Sequence, residues 1–125
     1  MNVAEKSHSF PKHLRLLRRV EFRRVYEEGR RLRAPLCTVF YRANGLSYSR
    51  LGITVPRALG KSVLRNRVKR RLREVFRMNR TTLPGGWDIV LNPSKHVAVV
   101  PFLRLEKEIL CLLPQVPPSD QAHPQ

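Results

Sequence analysis

The chain has 125 residues, 42% of them hydrophobic, which suits one small domain with a modest core and excludes a disordered basic tail. Lys and Arg number 25 against nine acids, a formal charge of +16 spread over several segments. A folded chain this basic points to a polyanionic partner, nucleic acid first, and the excess of Arg over Lys favours bidentate phosphate contacts and stacking. No signal peptide, lipidation motif or long apolar run is visible, so a cytoplasmic protein that does not engage a membrane is expected.

Residues 1–13 are polar and aperiodic, and read as a flexible basic lead-in to a domain spanning 14–113. Helical spacing begins near Arg18 or Arg19: Phe22, Val25 and Tyr26 fall at i, i+3 and i+4, and Gly29 is a natural stop. That spacing alone assigns Phe22 and Tyr26 to the core. Arg30 to Ala34 read as a basic connector. Residues 36–42 are rich in β-formers and alternate, with Cys37, Val39 and Tyr41 on one face and Thr38 and Phe40 on the other. Asn44-Gly45 signals a turn, with a loop to Ser49. Residues 50–56 form the expected partner strand, with Leu51, Ile53 and Val55 toward the core and Pro56 ending it or marking an edge.

Residues 61–77 dominate the sequence. They hold eight Lys/Arg and one acid, Glu74, yet Leu64, Val68, Leu72, Val75 and Phe76 recur at helical spacing within an arc of about 120°. Asn66, Arg70, Arg73 and Arg77 lie opposite, flanked by Arg67, Lys69 and Arg71. Charged faces are commonly plain solvated surface, but those faces mix signs to gain i,i+4 pairs. Here like charges repel almost uncompensated, and a polyanion relieves that repulsion. A membrane-surface helix would carry a larger apolar face with aromatic anchors, and this one has only Phe76.

After a loop from Asn79 to Gly86, residues 87–92 read as a short strand. Residues 93–100 stay open. Pro101 suits the first turn of a last helix to about Leu113, with Phe102, Leu105, Ile109 and Leu112 on its apolar stripe. Residues 114–125 hold four prolines without periodicity and read as a disordered tail. Cys37 and Cys111 both read as free core thiols, and no Cys/His cluster suggests zinc. The order α-β-β-α-β-α gives a single-domain α+β two-layer sandwich. Should the strands flanking the basic helix be parallel neighbours, the default crossover is right-handed.

The string Arg65-Asn66-Arg67-Val68-Lys69-Arg70, set within Gly60-x-Ser-Val-x-Arg-Asn-Arg-Val-Lys-Arg-Arg-Leu-Arg-Glu, resembles the signature of the bacterial ribonuclease P protein subunit. Phe10-Pro-Lys-His-Leu-Arg-Leu, Glu21-Phe22-x-x-Val25-Tyr26-x-x-Gly29, Arg50-Leu-Gly-Ile-x-Val55 and Trp87-Asp88-Ile89-Val90 fall in the same family's order, so the resemblance covers roughly residues 10–113. It implies a ribosomal-protein-type RNA-binding fold with an unusual left-handed βαβ crossover at the basic helix. It also implies a subunit of a ribonucleoprotein endoribonuclease whose RNA, not the protein, carries the metal ions and hydrolyses the phosphodiester that frees the tRNA 5′ leader. On this resemblance Arg65, Asn66, Arg67, Lys69, Arg70 and Arg73 face the catalytic RNA. Phe22, Tyr26 and Phe40, with Arg57 and Lys61, serve the leader of precursor tRNA, which revises the core assignment of Phe22 and Tyr26. One protein per RNA is implied, with Mg2+ in the RNA-containing holoenzyme and no cofactor on the protein alone. The family's Ser-Lys-Lys-like stretch is replaced here by Pro56-Arg57-Ala58, where Ala58 supplies no cation.

The acids are scattered without a DxD-like pair, and His8, His13, His96 and His123 lie in or beside irregular segments. Neither pattern suits a protein-borne catalytic centre. The charge alone equally fits a structural protein on folded rRNA. A sequence-specific DNA-binding domain would want a helix-turn-helix or a dimer seam, and neither is visible.

Overall fold

A computed structural model describes residues 11–80, 83 and 85–113; the expected lead-in over 1–10 and the tail over 114–125 lie outside them. Strands β1 (Arg30–Arg33), β2 (Cys37–Ala43), β3 (Arg50–Ile53) and β4 (Trp87–Pro93) form one sheet in the order β1-β2-β4-β3. The helices are α1 (Arg19–Glu28), α2 (Ser62–Met78) and α3 (Phe102–Leu112), with short 3-10 turns at Lys12–Leu14, Arg57–Leu59 and Lys95–Ala98.

Strand alternation divides the apolar residues between two sides of the sheet. Cys37, Val39 and Tyr41 of β2, Leu51 of β3, and Ile89 and Leu91 of β4 share the main core with Val68, Leu72, Val75 and Phe76 of α2 and Leu105, Ile109 and Leu112 of α3. Each such buried side chain contributes about 1.5–3 kcal/mol of gross transfer energy. On the other side, Val90 is buried with Leu16 and Val25, and Phe22 and Phe40 pack around them. The single-domain α+β class is thus as expected, but α1 lies across the sheet face opposite α2 and α3, so helices cover both faces and the layers number three rather than two.

Four further expectations are corrected. Residues 30–33 are a strand, not a connector. Their Arg-rich sequence carries little β-preference, but pairing with β2 through Arg31↔Phe40 and Leu32↔Val39 imposes the conformation. Strands β2 and β3 are not partners: β4 lies between them, antiparallel to β2 and parallel to β3. The parallel β3-β4 pair, joined through α2, is the neighbour relation the crossover expectation required. Cys111 is exposed, whereas Cys37 is buried. Counting from Leu105, position 111 falls off the stripe of Leu105, Ile109 and Leu112. Lastly, Lys12–Leu14 is an ordered 3-10 turn rather than part of a flexible lead-in, and Leu16 N donates to Leu51 O at 2.8 Å beside β3.

Three glycine and proline features shape these joins. At Gly29 a Cβ would lie 2.4 Å from Tyr41 O and 2.5 Å from Val25 O, so only Gly lets α1 end against β2 and turn directly into β1. Gly60 has φ +150°, a conformation close to exclusive to Gly, immediately before α2. Pro101 caps α3 from just outside it. The open stretch after β4 resolves as the turn Lys95–Ala98, with Ser94 Oγ accepting from His96 N at 3.3 Å.

Candidate nucleic-acid interface

The cations of α2 are not equivalent. Asn66 and Arg70 are exposed, and among the described residues Arg70 has no ion pair or hydrogen bond partner. Lys69 is half-buried. Arg65 Nε donates to Gly60 O at 3.1 Å and so closes the entry to its own helix. Arg67 is exposed but donates from Nε to Ala98 O at 2.7 Å. Arg71 donates to Val97 O at 2.7 Å and Val100 O at 2.6 Å. Together Arg67 and Arg71 tie the Lys95–Ala98 turn to α2. Arg77 pairs with Glu74 one turn back, which raises the Arg77 pKa through that hydrogen bond and weakens its claim to the open cationic face.

Arg73 is half-buried and sits close enough to Arg15 to feel its charge. Burial first, and Arg15 second, pull the Arg73 guanidinium below its usual value. Arg15 Nε is itself buried without a hydrogen-bond partner among the described residues. Two like charges meet in the seam between the N-terminal segment and α2, an arrangement that an anion would relieve. Arg15 was missed as a functional candidate from sequence, although it stands within the Phe10–Leu16 stretch that carries the resemblance.

The aromatic residues converge as a second surface. Tyr26 and Phe40 meet edge to face with ring centroids 4.8 Å apart. The Tyr26 hydroxyl donates to Asn92 Oδ1 at 2.9 Å and meets Thr54 Oγ1 at 2.8 Å. Phe22 packs where Gly52 leaves room: a Cβ there would lie 2.6 Å from the Phe22 ring. Phe22 and Phe40 are half-buried and Tyr26 is 36% exposed, so the set is neither sealed core nor free surface. Beside α1, Thr38, Asn92 and Thr54 form a polar floor across β2, β4 and the end of β3. Just beyond Thr54 the chain presents Arg57, exposed in its 3-10 turn, and Lys61, exposed at the start of α2.

An ion-pair network fixes this arrangement. Asp88, only 3% exposed, accepts from Arg50 Nε at 2.9 Å and Nη2 at 2.8 Å, and from Asn44 Nδ2 at 3.0 Å. Arg50 Nη1 reaches Glu21 at 3.2 Å. Glu21 also accepts from the Leu17 and Arg18 N–H groups, each at 3.0 Å, at the start of α1. Burial works to raise the Glu21 pKa, but those two N–H bonds and the Arg50 charge prevail and lower it. The Arg50 pKa is raised, chiefly by its hydrogen bond to Asp88. Three of the segments quoted for the resemblance therefore meet in one structural bridge from α1 to the sheet.

A surface cavity of about 660 Å³ lies elsewhere, between the first 3-10 turn, the β2–β3 loop and the end of α2, with His13, Tyr48, Arg77 and Met78 among its lining. None of the residues expected to face the catalytic RNA or the leader lines it; Arg77 of the basic face and His13 do.

Comparison with known proteins is consistent across sequence and structure. A family model described as Ribonuclease P matches residues 10–116. A ribonuclease P protein component from Thermotoga maritima is 40% identical over 112 residues, covering 86% of this chain and 96% of the relative. One from Desulfovibrio desulfuricans is 45% identical over 107 residues, covering 82% of each. Among solved structures, the RNase P protein from Thermotoga maritima superposes with a TM-score of 0.77 at 39% identity, over 82% of this chain and 97% of that one. The Staphylococcus aureus RNase P protein gives 0.72 at 26% identity, over 82% and 94%.

Proposed function

The chain belongs to the ribonuclease P protein family, and from that premise we propose a division of its surface between two RNAs. As the protein component of ribonuclease P it is part of an endoribonuclease holoenzyme, partners the ribonuclease P RNA and serves tRNA 5′ processing. In the finer reading, the α2 face of Arg65, Asn66, Arg67, Lys69, Arg70 and Arg73 binds the catalytic RNA. The cleft of Phe22, Tyr26 and Phe40, with Arg57 and Lys61 at one end, holds the 5′ leader of precursor tRNA.

The observation that carries this reading is the half-open Tyr26–Phe40 pair on the sheet face opposite α2. Two surfaces on opposite sides let one small domain touch a folded RNA and a single strand at once. Aromatic rings offer stacking that every base accepts, while the α2 guanidinium groups take phosphates. Hydrolysis itself is assigned to the RNA, with Mg2+ supplied there. Among the described residues no group of three or more His, Cys, Asp or Glu could hold a metal, and Glu21, Glu28, Glu74 and Asp88 are paired with Arg. One protein per RNA and a cytoplasmic location complete the proposal; among the described residues no helix is long and apolar enough to cross a membrane. A structural rRNA-binding role, which charge alone allowed, is not favoured by the relatives.

The test compares precursor tRNA with mature tRNA on the assembled ribonucleoprotein. A stacked base is worth about 1–3 kcal/mol, so Phe40→Ala should weaken precursor binding roughly tenfold and leave mature tRNA nearly unchanged. Equal losses for both, in a variant that still folds, would remove the leader from this cleft.

A further inference from the structure

The edge strand β1 contains three arginines, Arg30, Arg31 and Arg33, all exposed. Its register decides where they point. Arg31 pairs with Phe40 and Arg33 with Thr38, and directly opposed residues in a sheet share a face. Leu32, between them, packs against the main core, which independently puts Arg31 and Arg33 on the other side. That side is the α1 face, so Arg31 stands beside Phe40 and Arg33 stands at the end of the Thr38–Asn92–Thr54 floor. Among the described residues neither guanidinium has an ion pair or a hydrogen bond, and neighbouring Glu28 is taken by Arg42 at 2.8 Å.

We propose that Arg31 and Arg33 extend the leader-binding cleft, taking two backbone phosphates of the single-stranded 5′ leader beyond the base stacked on Phe40. The inference rests on the cleft reading above and adds the direction of the strand's path. The floor runs across the sheet from β1 to the end of β3, about 14 Å over three strand spacings. Cations stand at both ends of it: Arg31 and Arg33 at one, Arg57 and Lys61 at the other. A single strand lying along the flank of α1 meets aromatic rings in the middle and charge at either end. The β1 pair lies at the far side of the sheet from Pro56-Arg57-Ala58, where Ala58 supplies no cation.

The competing account is edge protection, since charged side chains keep an exposed strand from pairing with another molecule. Charge reversal separates the two, because Glu protects an edge as well as Arg but repels phosphate. The experiment uses the assembled ribonucleoprotein with Arg31→Ser/Arg33→Ser and Arg31→Glu/Arg33→Glu, checked for cooperative unfolding and monomer state. Losing two phosphate contacts should flatten the slope of log K against log salt by about 1.4 for leader-bearing precursor. The Ser variant's deficit should therefore shrink about sevenfold between 50 and 200 mM salt. The Glu variant should lose more, and mature tRNA should bind both as it binds the parent. Unchanged precursor affinity, or equal loss for precursor and mature tRNA, overturns the proposal. Phe40→Ala in the same assay locates the failure. If Phe40→Ala is leader-selective and the arginine variants are silent, only the extension is wrong. If Phe40→Ala is not selective, the cleft reading falls and the extension falls with it.

Discussion

Arginine at six positions of α2 does two kinds of work, and the division is visible only in contacts. Arg71 donates to two main-chain carbonyls of the following turn, whereas Arg70, one residue earlier, has no such partner among the described residues. Removing Arg71 leaves Val97 O and Val100 O without their donor, so Arg71→Ala should cost roughly 1.5–3 kcal/mol of stability. Arg70→Ala should stay within about 0.5 kcal/mol of the parent, yet weaken assembly with the ribonuclease P RNA. Chemical denaturation and RNA titration on the two variants check the contrast; equal effects on both readouts would erase it. Helical spacing gave the apolar arc of α2 correctly, and that much was legible. Which cations were already committed to carbonyls 26 to 31 residues away was not, because the Lys95–Ala98 turn has no periodic signature. Cys111 was misplaced for a different reason: its helix was expected correctly, and the spacing that puts the thiol off the stripe was legible but was not applied to it.

Elements owe their placement here to one buried carboxylate as much as to apolar contact. Asp88 on β4, Arg50 on β3 and Glu21 on α1 form a chain that pins α1 over the sheet and so sets the distance between Tyr26 and Phe40. Arg50→Ala would strand the Asp88 charge and should cost about 3 kcal/mol, the lower part of the range for breaking a buried pair because Arg50 is partly exposed. The Glu21 pKa is lower in the folded chain than its ordinary value of 4.5. Its contribution is therefore complete above that value and is lost as the pH falls through the folded value. Urea titrations at pH 7 and pH 3 should show this acid-side loss in the parent, and a smaller loss in Arg50→Ala, which lacks part of the cause. A parent protein as stable at pH 3 as at pH 7 would contradict it. Three strands were legible in the sequence, expected at 36–42, 50–56 and 87–92 and found at Cys37–Ala43, Arg50–Ile53 and Trp87–Pro93, since β-branched and aromatic residues alternate there; the middle one stops three residues short, before Pro56. It missed β1, whose residues acquire their conformation from Tyr41, Phe40, Val39 and Thr38 rather than from their own preferences. Edge strands built on a neighbour leave little trace in local composition. The aromatic cleft was legible only in part: spacing put Phe22 and Tyr26 side by side, but Phe40 joins them through the choice of sheet face for α1.

At the scale of the whole molecule, a core of modest size carries a charge of +16, and the two proposed RNA surfaces take opposite sides of the sheet. The sheet order β1-β2-β4-β3 has a consequence for synthesis. A ribosome delivers the strands in numerical order, so the central strand arrives last. Until residues 87–93 emerge, β3 has no partner strand in the sheet and only the single Arg15–Leu51 bridge beside it, and α2 faces a sheet with a missing middle. Only β1 and β2 can pair earlier, and an isolated two-stranded ribbon is marginal in water. A fragment of residues 1–86 should therefore show no cooperative thermal unfolding, while the full chain does; a cooperative transition in the fragment would refute this order of events. During translation, then, most of the arginines leave the ribosome on a chain that cannot yet hold its shape. The growing protein passes through a stage as a flexible polycation beside abundant ribosomal RNA, and completion of β4 ends that stage by committing the charges to fixed positions.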